Sequence, residues 1–342
     1  MRAPAPAGQA PEAPVFIPQI PQAPTPGCAP EGGAVSLNIA ISTRRAWRAG
    51  TVLVLALACN AKGSASHARE FAGRRAFGYL AQQLDFGPRI PGTPAHQRTG
   101  DWILEHLRAT ADSVQVQAFS HVTRAGTTLH LRNFFAHFRP GAAERVLFLA
   151  HWDTRPHADQ SANLAQQRLP VPGANDGASG VAALLGIADA LKAKPPAVGV
   201  DLLFTDGEDY GDFKDSNDVL IGARYFAGHQ PPRYQPLFAV LFDMVADKDQ
   251  QFYYEGNSQR VAPEVVDRVW RTAADLGYGH IFLPGVKHTL IDDHVALQNA
   301  GIHAIDVVDF DYPPWHTTED TIDKVTAASL QVVGDVALAL VR

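Results

Sequence analysis

Several apolar runs of the 342-residue sequence end on side chains that can bind a metal ion or transfer protons. One run leads through Asp-Gly into two adjacent carboxylates, Glu208 and Asp209, and two other runs end on His151 and Asp243. In an open α/β sheet the carboxyl ends of parallel strands lie at one side, so these groups can converge on one site. Because adjacent side chains point in different directions, one acid of the pair can bind a metal while the other transfers protons.

Two further positions complete a possible set of metal ligands. Asp176 lies in an Asn-Asp-Gly segment before a helix, and His316 lies in a Trp-His-Thr segment. Histidine and carboxylate ligands without thiolates are typical of catalytic zinc, where three protein ligands leave one coordination position open. Asp153, two residues after His151, is placed to orient that imidazole. Taken singly, each group also fits a structural role such as a helix cap, but their succession at element ends favours a metal site.

The composition narrows the chemistry that is available. The chain is 46% hydrophobic and 19% charged, which is typical of a globular protein. Its formal charge of −6, without any block of Lys and Arg, argues against a nucleic-acid surface. The two cysteines, Cys28 and Cys59, lie near the N-terminus, so the body has no thiolate ligand, disulfide or cysteine nucleophile. A metal must therefore be held by His, Asp and Glu.

Strands and helices alternate along most of the chain. This order predicts a single α/β domain with an open, twisted, largely parallel sheet and helices on both faces. The hydrophobic spacing predicts strands at 114–119, 128–138, 145–150, 198–205, 237–242 and 302–308. It predicts helices at 69–84, 102–111, 180–193, 217–227, 261–276, 294–300 and 321–341.

The N-terminal part differs in composition from the rest. Residues 1–34 are rich in proline and are expected to be disordered. Residues 35–66 hold a basic segment, a short apolar run and Cys59, which is typical of a bacterial lipoprotein signal, and the run is too short to span a bilayer. We therefore expect translation to start near Val35, a cell-envelope location (periplasmic, or anchored to the membrane through lipidated Cys59), and a catalytic domain at 67–342. The alternative is a cytoplasmic protein with an apolar linker.

Five short motifs together resemble the M28 zinc peptidase family from about residue 69 to the C-terminus. In chain order they are His-x-Asp, Asn-Asp-Gly-Ala-Ser-Gly, Gly-Glu-Asp, Phe-Asp-Met and His-Thr-Thr-Glu-Asp-Thr. Within that family the chain is more similar to the glutaminyl-peptide cyclotransferases, or glutaminyl cyclases. This preference rests on Arg-Ile-Pro-Gly-Thr at 89–93, Asp-Asp-His at 292–294 and Trp-His-Thr at 315–317. The resemblance implies a zinc aminopeptidase-like fold with a mixed central sheet.

The resemblance also implies an activity and a role for each site residue. Glutaminyl cyclases convert the N-terminal glutamine of peptides and proteins into pyroglutamate and release ammonia. The implied ligands of a single zinc ion are Asp176, Asp209 and His316, and the implied general acid and base is Glu208. An acidic network behind the substrate amine would comprise Asp243, Asp292 and Asp306, and the pocket residues would be Trp315 with Tyr312 or Phe310.

One position departs from the animal enzymes, which have Glu-Glu where this chain has Glu208-Asp209. Aspartate is an equally suitable oxygen ligand, but it is one methylene shorter, so the metal would lie closer to this loop. The pocket aromatic that the family carries just after the acidic pair would be Tyr210 or Phe213.

A two-zinc aminopeptidase of the same family is the alternative function. It would use His151 and Asp243 for a second zinc, Asp176 as the bridging ligand and Glu208 as the base acting on water. The ligand positions alone do not separate the two activities, whereas Asp-Asp-His at 292–294 and Trp-His at 315–316 favour the cyclase. A binding domain that has lost its metal is disfavoured, because every ligand position is intact.

Overall fold

The computed structural model describes residues 70–213 and 216–342. The helices of this part are α1 (Gly73–Phe86), α2 (Pro94–Thr110), α3 (Ala178–Ala193), α4 (Ile221–Gly228), α5 (Gly256–Val261), α6 (Pro263–Asp275), α7 (Asp293–Asn299) and α8 (Ala327–Ala339). The strands are β1 (Ser113–Val122), β2 (Thr128–Phe138), β3 (Arg145–His151), β4 (Gly199–Thr205), β5 (Phe238–Asp243), β6 (Phe252–Glu255), β7 (Phe282–His288) and β8 (Ala304–Val308). The predicted disordered extension, lipoprotein signal and domain start at 67 lie outside the described residues.

Six strands form the main sheet in the order β1-β2-β4-β3-β5-β8. The strands β4, β3, β5 and β8 run parallel, while β2 pairs antiparallel with both β1 and β4. Every residue of β4 and β5 is buried, as expected for strands with both faces covered. The prediction of a mixed, mostly parallel sheet in a single α/β domain is therefore confirmed.

Helices pack on both faces of this sheet. One face carries the larger core, where α1, α2, α3, α6 and α8 cover side chains such as Phe134, Phe148 and Val240. On the other face α4 and α7 cover Leu147 and Leu203. Helix α3 is apolar on nearly all sides because it is enclosed by α1, α8 and the sheet. None of the helices in the described part is long and apolar enough to cross a membrane.

Three central strands end at the same side of the sheet, and their ends carry the predicted site residues. Strand β3 ends on His151 and β5 ends on Asp243, while β4 ends directly before the segment that holds Glu208 and Asp209. The helix α3 begins at Ala178, two residues after Asp176. The parallel core thus brings together residues that lie far apart in the sequence.

The structure also corrects several predicted elements. The two-stranded sheet of β6 and β7 was not predicted, because β6 has four residues and β7 contains Pro284-Gly285, which is atypical of a strand. Helix α4 begins at Ile221 instead of 217, since Leu220 adopts a left-handed φ of 53°. Helix α8 begins only at Ala327, after its cap Thr326, so the predicted helix from 321 is shorter.

Candidate metal centre and active site

Two groups of three buried side chains could each hold a metal ion within the described residues. The first comprises Asp176, Asp209 and His316, and the second comprises His151, Asp176 and Asp243. In each group one ligand atom from every residue lies within 4.8 Å of the others. The structure thus brings together the three residues expected to bind a single zinc, and Asp176 is common to both groups.

The backbone of the acidic pair is held by the side chain of Asp153, which lies two residues after the end of β3. Gly207 makes the turn after β4 with a φ of 74°, a conformation that favours glycine. Asp153 then accepts hydrogen bonds from the backbone N–H groups of Glu208 (3.0 Å) and Asp209 (3.2 Å). The prediction gave Asp153 the task of orienting His151, and its Oδ1 does lie 3.5 Å from His151 Nδ1. Its stronger contacts fix the backbone of the two acids.

Asp320 connects the loops that carry Asp176 and His316. Its two carboxylate oxygens accept hydrogen bonds from the backbone N–H groups of Asn175 (2.8 Å) and Asp176 (3.1 Å). The hydroxyl of Tyr312 donates to the same carboxylate at 2.7 Å. Asp320 was not singled out from the sequence, although it lies within the Thr-Thr-Glu-Asp-Thr motif after His316.

The first group has the chemistry expected for a cation site. His316 Nε2 lies 3.3 Å from Asp209 Oδ1 and 3.5 Å from Asp176 Oδ2. Burial opposes protonation of this imidazole, but the charge and hydrogen bond of Asp209 together with the charge of Asp176 outweigh burial and raise the pKa of His316. Asp209 Oδ2 is buried and has no hydrogen-bond partner. A metal ion would satisfy that oxygen and replace the proton between imidazole and carboxylates, so the residues fit a metal.

The second group is built around His151. Its Nε2 lies 3.1 Å from Asp176 Oδ1 and 3.2 Å from Asp243 Oδ1. Burial lowers its affinity for a proton, but hydrogen bonds to Asp153, Asp176 and Asp243 outweigh burial and raise the pKa of His151 well above its usual value. These carboxylates therefore favour a protonated imidazole at this position.

A cavity of about 260 Å³ opens beside the first group. Its lining includes the predicted residues Asp176, Glu208, Asp243, Asp292, Trp315 and His316. The rest of its wall is formed by Thr289 and by the apolar side chains of Phe213, Met244, Leu290, Ile291 and Phe310. Of the two predicted pocket aromatics, Phe213 lines this cavity, whereas Tyr210 packs against Leu129, Leu131 and Ile221.

Two of the predicted residues do not line this cavity. Tyr312 is buried with Met244 and Val308 and does not line the cavity, since its hydroxyl donates to Asp320; Phe310 lines the cavity instead. Asp306 is also absent from the cavity wall.

The side chain of Asp306 is fully buried on β8, and its Oδ2 lies 3.9 Å from Nδ1 of His294. Burial, followed by the charges of Asp292 and Asp243, raises the pKa of Asp306 well above its usual value. Asp306 therefore belongs to the acidic cluster only as a buried neighbour.

Three of the carboxylates that line the cavity have raised pKa values. Burial raises the pKa of Glu208 well above its usual value, against the attraction of His151, and the charge of Asp292 raises it further. Burial raises the pKa of Asp243 to about 6 and that of Asp292 to about 7. Groups that titrate near neutrality can both accept and donate a proton, so this cluster is suited to general acid–base chemistry.

The mostly parallel sheet, with His and Asp side chains at its strand ends and a cavity beside them, defines a metal-exopeptidase-like α/β protein. The model of peptidase family M28 matches residues 133–341, and the chain belongs to that family.

Three similar proteins illustrate the range of the family. A glutaminyl-peptide cyclotransferase of Drosophila melanogaster is 24% identical over 72% of this chain and 75% of its own length. The crystal structure of Porphyromonas gingivalis glutaminyl cyclase superposes with a TM-score of 0.76 at 38% identity, covering 79% of this chain and 98% of that one. A zinc-dependent exopeptidase from Parabacteroides distasonis gives a TM-score of 0.75 at 35% identity, covering 79% and 97%.

Proposed function

We propose that this protein is a zinc-dependent glutaminyl-peptide cyclotransferase, which converts the N-terminal glutamine of peptides and proteins into pyroglutamate. The observation that carries the proposal is the cavity wall. Glu208 and Asp292, which belong to neither ligand group, line the same cavity as the ligands Asp176 and His316 and the aromatic Trp315. The similarity to glutaminyl cyclases of bacteria and of Drosophila melanogaster supports it.

The reaction is an intramolecular attack of the α-amine on the side-chain carboxamide, with loss of ammonia. Because both reacting groups belong to one residue, a cavity that holds the bent conformer supplies much of the rate enhancement; effective molarities reach ~10⁵ M. The apolar wall around Trp315 and Phe310 excludes water from the bound glutamine.

Proton transfer is assigned to the carboxylates beside the cavity. Glu208 accepts a proton from the attacking amine and returns it to the departing ammonia, since its raised pKa lets it act in both directions. Asp243 and Asp292 line the same wall and orient the amine by accepting its hydrogen bonds. Asp176, Asp209 and His316 would hold the zinc ion, whose Lewis acidity would polarise the carboxamide.

The alternative is a two-zinc aminopeptidase, and the second ligand group is the observation in its favour. We propose one zinc ion per chain, on the strength of the resemblance carried by Asp-Asp-His at 292–294 and Trp-His at 315–316. Purified protein should release ammonia from peptides with N-terminal glutamine and contain about one zinc ion per chain. Rapid hydrolysis of aminoacyl-nitroanilides together with two zinc ions per chain would instead establish the aminopeptidase.

We further propose that the protein acts in the bacterial cell envelope. The support is the basic segment and short apolar run before Cys59, which the structure does not describe. In the full-length protein, Cys59→Ser should abolish lipid labelling and shift the protein from the membrane fraction to the soluble fraction. Unchanged membrane partitioning would contradict the lipid anchor.

A further inference from the structure

A buried arginine outside the cavity contacts one of the ligands directly. Arg155 lies in the loop after β3, and its side chain is only 7% exposed. Its Nη1 donates to Asp209 Oδ1 at 2.7 Å and to the carbonyl oxygen of Gly211 at 3.0 Å. Its Nε and Nη2 donate to the two carboxylate oxygens of Asp159 at 2.6 and 3.2 Å. The planar guanidinium thus binds two aspartates at once.

The second aspartate faces the other side of the same ligand group. Asp159 Oδ1 lies 3.6 Å from His316 Nδ1, while His316 Nε2 faces Asp176 and Asp209. The loop also holds the backbone at this position, because the N–H of Gln160 donates to the carbonyl oxygen of His316 at 3.1 Å. A carboxylate beside the outer nitrogen of a metal-bound histidine fixes its tautomer and the orientation of its ring.

We propose that Arg155 is a positioning residue that sets the metal affinity of the Asp176, Asp209 and His316 site. It holds Asp209 directly and His316 through Asp159. The inference rests on the proposed function, because it takes the metal ligands from there. Arg155 does not itself line the cavity, although its guanidinium lies 5.9 Å from the ring centroid of Phe213, which does, and it has no part in the proposed proton transfer.

Two effects of the guanidinium act in opposite directions on a bound cation. Its positive charge lies beside Asp209 and by Coulomb's law alone weakens the binding of a second cation. Its hydrogen bonds hold Asp209 Oδ1 in one place and leave Oδ2 as a buried oxygen without a partner. The reach of Asp209 toward a cation depends on where these hydrogen bonds place its carboxylate. We infer that the guanidinium strengthens zinc binding by orienting Asp209 more than it weakens zinc binding by its charge.

The test compares Arg155→Lys with Arg155→Met. Lysine keeps the charge but lacks the planar guanidinium that binds two aspartates, and methionine lacks both. Zinc affinity is measured by chelator competition on the intact protein, so the readout does not depend on turnover. Both variants should bind zinc 10- to 100-fold more weakly than wild type, as expected when an outer partner of a ligand is lost. If Arg155→Met binds zinc as tightly as wild type, or more tightly, charge dominates and the positioning role is wrong.

Arg145→Met is the matched control, because it also removes a partly buried guanidinium from a buried aspartate. Arg145 binds Asp201 at the opposite end of β3 from His151. This variant should lose thermal stability and keep the wild-type zinc affinity. A comparable loss of affinity in Arg145→Met would show that general destabilisation explains the Arg155 variants.

A second variant keeps the proposal testable if Arg155→Met does not fold. Asp159→Asn alone should weaken zinc binding. The double variant Asp159→Asn with Arg155→Lys should lose less zinc affinity than the two single fold-losses multiplied together, because both residues act through one network. If the losses of zinc-binding free energy in the two single variants simply add in the double variant, Arg155 does not act through Asp159. Absence of zinc binding in the wild type would contradict the proposed function itself, whereas equal affinities of wild type and variants contradict only the role of Arg155.

Discussion

Glu208 and Asp209 are adjacent in sequence, yet the structure gives them different surroundings. Glu208 lines the cavity and belongs to neither ligand group, while Asp209 lies between Arg155 and His316 and belongs to the first. Substituting Glu208 by Gln should therefore lower turnover by ~10²-fold or more with zinc retained, because the acid–base group is lost and the ligands remain. Ammonia release from Gln-initiated peptides and the zinc content of the same sample provide the measurement.

The matched contrast is His316→Ala, which should lose both zinc and turnover because it removes a ligand. His303→Ala serves as the control, since His303 is exposed and pairs with Glu264 away from the site. If Glu208→Gln loses zinc as well, the roles of the two adjacent acids are reversed.

At the scale of single residues, the sequence predicts those groups that directly follow buried strands. The strand fixes the direction of these side chains. The structure therefore brings His151 and Asp243 together at the strand ends, as the sequence predicts. Tyr312 and Phe310 lie two residues apart in a loop, where the spacing does not reveal which side chain faces the cavity. Arg155 could not be recognised, because a long side chain from a loop can reach many partners.

At the scale of elements, the position of Asp176 depends on how closely α3 approaches the sheet. A Cβ on Gly180 would lie 2.1 Å from the carbonyl oxygen of Phe242 and 2.8 Å from Ala150 Cβ. Gly180→Ala should therefore lower the free energy of unfolding by about 1–3 kcal/mol, as expected when a packed interior is overfilled. Urea denaturation measures this change.

Gly78 in α1 is the matched control for this helix substitution. No heavy atom would lie within 4 Å of a Cβ there, and the residue is exposed. Gly78→Ala should raise the free energy of unfolding by about 0.5–1 kcal/mol through helix propensity. If both substitutions change stability by the same amount in the same direction, the close approach of α3 to β5 does not restrict Gly180.

The elements that the sequence predicts well are the long buried ones. Strands β3, β4 and β5 and helix α3 have continuous apolar runs, because each is covered on both sides. The elements that were missed, β6, β7 and α5, are short or exposed, so their residues carry little periodic signal.

At the scale of the whole molecule, a buried ion pair joins strands at the end of the sheet opposite the cavity. Asp201 on β4 binds Arg145 on β3, His137 on β2 (2.7 Å) and the hydroxyl of Tyr234 (2.9 Å). Although burial raises the pKa of Asp201, its hydrogen bonds with Arg145 and His137 outweigh burial and lower the pKa below its usual value. The carboxylate is therefore stabilised more in the folded than in the unfolded protein.

The lowered pKa of Asp201 determines in which direction the free energy of unfolding changes with pH. The stabilisation by Asp201 is complete above the unfolded pKa of about 3.9 and is lost as the pH falls through the lower folded pKa. Asp201→Asn should thus be less stable than wild type by a constant amount above about pH 5, and the difference should shrink below about pH 4. Urea unfolding at several pH values tests this; a difference that stays constant into the acid range would show that the charge of Asp201 contributes nothing.

The carboxylate of Asp320 has a consequence for how the protein is made. It fastens the loop of Asp176, which lies near the middle of the chain, to the loop that follows His316. During synthesis Asp176 emerges from the ribosome well before His316 and Asp320, while the central strands are already able to pair. The metal centre can therefore close only when the polypeptide is almost finished. A nascent chain therefore presents these carboxylates apart from His316, and a metal ion that requires all three ligands could bind only at the end of synthesis.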